Sequence, residues 1–112
     1  MCLSVFKNYA STEGQNPSYQ NLYLNQNINR IFDLINNDAK IKKFDNLIIY
    51  PEYFDISYYE GDYQVSISLI EDDKTHVFMD ISVLNTKKKG FAKKQLKNKL
   101  LYYFELLKDY VN

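Results

Sequence analysis

The chain has 112 residues, 46% apolar and 25% charged, and its 14 basic side chains cancel its 14 acidic ones. That length suits one hydrophobic core rather than two, and the composition excludes wholesale disorder. With Cys2 as the only cysteine, a disulfide-stapled secreted scaffold is excluded too. No run approaches the roughly 20 apolar residues of a membrane span, and the first residues lack a basic stretch followed by an apolar leader. A cytoplasmic domain without membrane contact is therefore expected.

Leu3, Val5 and Phe6 suit a short strand or a packed tail, and Ser11 to Ser18 reads as a loop. Asn16-Pro17 has the form of a helix cap followed by proline in the first turn. Leu24, Ile28, Ile31, Phe32 and Ile35 recur at helical spacing, which predicts a first helix from about Pro17 to about Asn36, stopped by Asn36-Asn37-Asp38. Ala39 to Phe44 could add one or two further turns. Leu47-Ile48-Ile49 is a short apolar run ended by Pro51, the signature of an edge strand or a strand's end.

From Tyr53 onward the period becomes two. Phe54, Ile56 and Tyr58 alternate with Asp55, Ser57 and Tyr59; Tyr63, Val65, Ile67 and Leu69 alternate with Gln64, Ser66 and Ser68; Val77, Met79, Ile81 and Val83 alternate with His76, Phe78, Asp80 and Ser82. Gly61-Asp62 and Glu71 to Lys74 are the polar turns between them. Strands over Tyr53–Tyr59, Tyr63–Ile70 and His76–Leu84 follow, forming an antiparallel meander with one dry and one wet face. After Lys87-Lys88-Lys89-Gly90, the stripe Ala92, Leu96, Leu100, Tyr103, Leu107 and Val111 predicts a last helix of about five turns. The expectation is an α+β two-layer sandwich in a single domain, 1–112. Its antiparallel meander has three to four strands, and an N-terminal and a C-terminal helix pack on one face.

Motifs for catalysis are sparse. His76 and Asp80 would share a strand face, but about 13 Å apart at about 3.3 Å per residue, too far to hydrogen-bond. Glu71-Asp72-Asp73 lacks the glycine and the distant glutamate of a calcium loop, and phosphate-cradling glycine patterns and paired Cys-x-x-Cys are missing. No enzyme, metal or cofactor is expected.

Charge is sorted instead. Asp45 to Asp80 carries nine carboxylates and one lysine, whereas Lys87 to Lys99 carries seven lysines and no acid. The eleven tyrosines fit a contact surface, although thirteen lysines against the single Arg30 show a bias that an AT-rich coding genome also produces. The first functional expectation is a protein-binding module of inhibitor or immunity type. Its wet face would meet a basic partner, with Asp55 and Asp80 steering encounter and Tyr59 or Phe78 as the anchor. The alternative is nucleic-acid binding through Lys87, Lys88, Lys89, Lys93, Lys94 and Lys97, lysines that oppose the macrodipole at a helix start. Exposed Leu101 with Tyr102 would be the face of a homodimer.

Overall fold

The computed structural model describes residues 9–11, 22–71, 76–87 and 91–111, with side chains from residue 24 onward. Leu3, Val5, Phe6, Asn16-Pro17, Cys2, Asp72, Asp73, Lys88 and Lys89 lie outside these residues.

Two helices and an antiparallel sheet make an α+β fold. The long strands are β3 (Asp45–Tyr50), β4 (Asp55–Glu60), β5 (Tyr63–Glu71) and β6 (Val77–Asn85). Two three-residue strands, β1 (Tyr9–Ser11) and β2 (Leu22–Leu24), pair one after the other along the free side of β6, so the order across the sheet is β1 or β2, β6, β5, β4, β3. Their brevity explains why sequence alternation did not reveal them: three residues hold no readable period.

Strand register follows the pattern of the sequence. Ile56, Ile67 and Ile81 form one cross-strand row, Tyr58, Val65 and Val83 the next, and all six are buried. These rows join the buried faces of helix α1 (Ile28–Lys42) and helix α2 (Ala92–Leu106) in one apolar cluster. The β4–β5 turn needs Gly61, whose φ of +61° is a conformation that L side chains rarely adopt.

The first helix differs from expectation at both ends. It starts at Asn27, whose Oδ1 accepts the Asn29 N–H at 2.9 Å and so satisfies one of the free donors of the first turn. Leu24 continues the helical spacing yet sits in β2, fully buried. Asn36-Asn37-Asp38 does not stop the helix, because Ala39 extends the buried stripe one turn beyond Ile35. The end comes at Lys43, left-handed at φ 56°, whose N–H bonds the Lys40 carbonyl.

At the other end of the chain, α2 is shorter than the predicted five turns. A 3₁₀ turn at Lys108–Tyr110 follows it, and Val111 bridges Leu24. The Asn25 N–H bonds the Tyr110 carbonyl, and Arg30 Nε donates to Tyr110 Oη at 3.2 Å. β3 is an edge strand, as Pro51 implied. A bulge between Asp45 and Ile48, with Asn46 at φ 52°, breaks its register with β4. Among the described residues, no helix is long and apolar enough to cross a membrane.

Candidate functional site

Residues opposite one another across a ladder point to the same side, so the pairings define the outward face of the sheet. Tyr50, Asp55, Ser68 and Asp80 make one row; Ile48, Ser57, Ser66 and Ser82 the next; Asp45, Tyr59, Gln64 and Leu84 the third. Ile70 pairs with Phe78 beyond the first row. None of these fourteen positions is basic, and the helices' buried residues pack on the other side.

Register brings Asp55 and Asp80 together with Ser68 between them, two strand spacings apart, or about 10 Å. Tyr59 and Phe78 are separated by three row spacings, about 20 Å along the strands. One partner pocket cannot take both. The aromatic that flanks the carboxylates is Tyr50, 50% exposed, and Ile70, 48% exposed, stands beside Phe78. Ile70 was legible as the next outward position after Ser68. Tyr50 required the β3–β4 register.

The basic helix start is divided. Lys87, Lys94 and Lys97 are exposed and Lys93 is half-buried. Phe91 precedes the helix at φ 81°, 69% exposed, with no side-chain cap on the first turn. Lys99, seventh in the run, belongs elsewhere. Two residues along a helix rotate the side chain by about 200°, so Lys99 turns inward from Lys97 and is 8% exposed.

Inside, Lys99 forms an ion pair with Glu60, the last residue of β4 on its inward parity. The Lys99 ammonium is 5.3 Å from the Phe44 ring centre and 5.7 Å from that of Tyr58, two rings that stack in parallel at 4.0 Å. The Tyr102 ring centre is 5.7 Å away as well, so three rings surround the ammonium and Glu60 supplies its counter-charge. Nearby, Tyr58 and Tyr103 share a buried hydroxyl–hydroxyl bond of 3.0 Å, and Tyr102 Oη donates to Asp38 Oδ2 at 2.5 Å. Desolvation raises the pKa of all three phenols well beyond the usual tyrosine range. For Tyr102, the hydrogen bond and the charge of Asp38 add to it. These tyrosines stay neutral: Tyr102 donates to Asp38, and within the Tyr58–Tyr103 pair one hydroxyl donates to the other.

Tyr102 is thus turned toward α1 and does not join Leu101, 61% exposed, on one surface. The predicted homodimer face loses its aromatic member. The sequence alone did not reveal this network, although Glu60 has the parity of Ile56 and Tyr58, and Lys99 lies four residues ahead of Tyr103.

Lys42, Glu60, Gln95, Asn98, Lys99 and Tyr102 line a cleft of about 230 Å³. This is below the roughly 300–1,000 Å³ of ordinary small-molecule sites. Among the described residues, no three of His, Cys, Asp and Glu group as metal ligands, and His76 is half-buried immediately ahead of β6. No protein-family model, curated protein or solved structure matches the chain.

Proposed function

We propose that the chain is a non-enzymatic protein-binding domain of inhibitor or immunity type, which docks a basic partner on the outward face of its sheet. The supporting observation is the row Tyr50–Asp55–Ser68–Asp80, bordered by Ile70 and Phe78, on a face whose described positions include no basic residue. The buried residues of both helices join the apolar cluster on the opposite face of the sheet. Carboxylates among aromatic and aliphatic side chains combine electrostatic steering with area to bury. Phe78 and Tyr50 are the anchors of this patch, and Tyr59 contributes at its rim.

Affinity capture from the native cell extract tests the reading. The expected result is one basic protein in stoichiometric amount, lost from the Asp55→Lys/Asp80→Lys double variant while its circular dichroism is unchanged. Capture that survives both charge reversals would refute this surface. A second reading is nucleic-acid binding at the start of α2, favoured by an exposed aromatic, Phe91, standing next to Lys93, Lys94 and Lys97. Lys87, exposed ahead of the helix, would extend that patch. Recovery of nucleic acid instead of protein, abolished by Lys93→Gln/Lys97→Gln, would select it over the sheet face.

A further inference from the structure

We infer that β3 is a self-pairing edge, through which two copies of this chain join their sheets around a two-fold axis. The two margins of the sheet are unlike. Both ends of β6 are covered, residues 82–84 by β1 and residues 77–79 by β2, whereas among the described residues β3 pairs with β4 alone. An open edge presents a row of unpaired backbone donors and acceptors, and proteins blunt such edges with lysine, proline or bulges. In β3 those devices stand only at the ends: the bulge at Asn46 on one side and Pro51 on the other. Ile48 to Tyr50 between them is in regular register with β4, apolar and without charge.

Exposed apolar side chains gather around this edge. Ile48 and Tyr50 are on the strand, at 47% and 50% exposure; Ile41, at 77%, is near the end of α1, and Tyr53, at 69%, is in the turn that follows β3. Charge then selects the partner and its direction. Lys40, Lys42 and Lys43 precede the strand, outweighing Asp45, and Glu52 follows it; all five are exposed. Antiparallel pairing of β3 with its own copy sets the basic end of each strand against the acidic end of the other, twice over. Parallel pairing would set like against like. A two-fold interface is self-complementary, so one sequence supplies both halves. Pairing of this kind carries the outward face of one sheet directly into that of the other. The inference does not depend on what that face binds.

Sedimentation velocity on the whole chain, over a concentration series, provides the test. A species of twice the 13.3 kDa chain mass is expected. Ile48→Lys, which would crowd two ammonium groups at the centre of the interface, should return the mass to that of one chain with circular dichroism preserved. Tyr50→Glu should do the same, so the test stands if one of the variants fails to fold. Leu101→Lys, on the exposed flank of α2, should leave the double mass intact. In hydrogen exchange, β3 amides should lose protection in the Ile48→Lys variant. A single-chain mass at every concentration would overturn the inference, as would a dimer that survives Ile48→Lys or one abolished by Leu101→Lys.

Discussion

Ile67→Ala is expected to lower stability by about 2–5 kcal/mol, the range for removing a buried aliphatic side chain and leaving a cavity. Ile67 is 1% exposed at the centre of β5, between Ile56 and Ile81 in the same row, and β5 is the long strand over which α1 passes. Neighbours on both sides are held by their own ladders, so the space cannot close by a small shift. Domains of this size are stable by about 5–15 kcal/mol in total, so the denaturant midpoint should fall visibly. Ser66→Ala, one residue away on the outward face, should change stability by no more than about 0.5 kcal/mol. Equal midpoints for the two variants would mean that the strand register is wrong, because a one-residue slip exchanges the two faces.

The second large effect concerns Lys99 and Glu60. Glu60→Gln leaves a buried ammonium without its counter-charge, while Lys99→Met removes the charge and keeps an unbranched stem of similar bulk. Breaking one side of a buried pair is costly, and replacing the charge by an apolar group is often close to neutral. The Glu60 side chain is nearly half exposed, which lets solvent offset part of the loss. A destabilisation of about 1–3 kcal/mol is therefore expected for Glu60→Gln, from the cost of an uncompensated charged partner. Lys99→Met should lose less, and the double variant should resemble Lys99→Met alone. Thermal denaturation of the three proteins checks the order; a Lys99→Met variant weaker than Glu60→Gln would contradict it.

Much of the sheet was legible because its strands are long and one side of them is dry. Period two in Val65 to Leu69 and Val77 to Val83 marks the buried residues correctly, since a half-buried strand has no other pattern to show. Helix boundaries were less legible. Leu24 fits the spacing of α1 but is strand, because packing against β6 overrides a coincidence of period. Asn36, Asn37 and Asp38 look like a stop but stay helical, because Ala39 behind them is drawn into the core. Among the candidate site residues, Asp55 and Asp80 could be assigned to one face, and cross-strand register was needed to show that they share a row and that Tyr59 and Phe78 do not. Lys99 was counted with the basic run and given no role, because a run of like letters says nothing about direction: a helix sends Lys97 and Lys99 to different sides.

The closure of the chain's far end upon its near end has a consequence for the order in which the molecule assembles. β4, β5 and β6 are joined by short turns and can pair as soon as their own residues exist. β1 and β2 must wait for β6, more than fifty residues later, and Leu24 acquires its last neighbour only when Val111 has been made. Each such contact requires a long loop to close before any contact energy is gained. Folding is accordingly expected to spread from the middle outward, with the amino-terminal strands annealed last, and pulsed hydrogen exchange should find the β5 amides protected before that of Leu24. During synthesis, one side of β6 then stands bare until the earliest residues return to it.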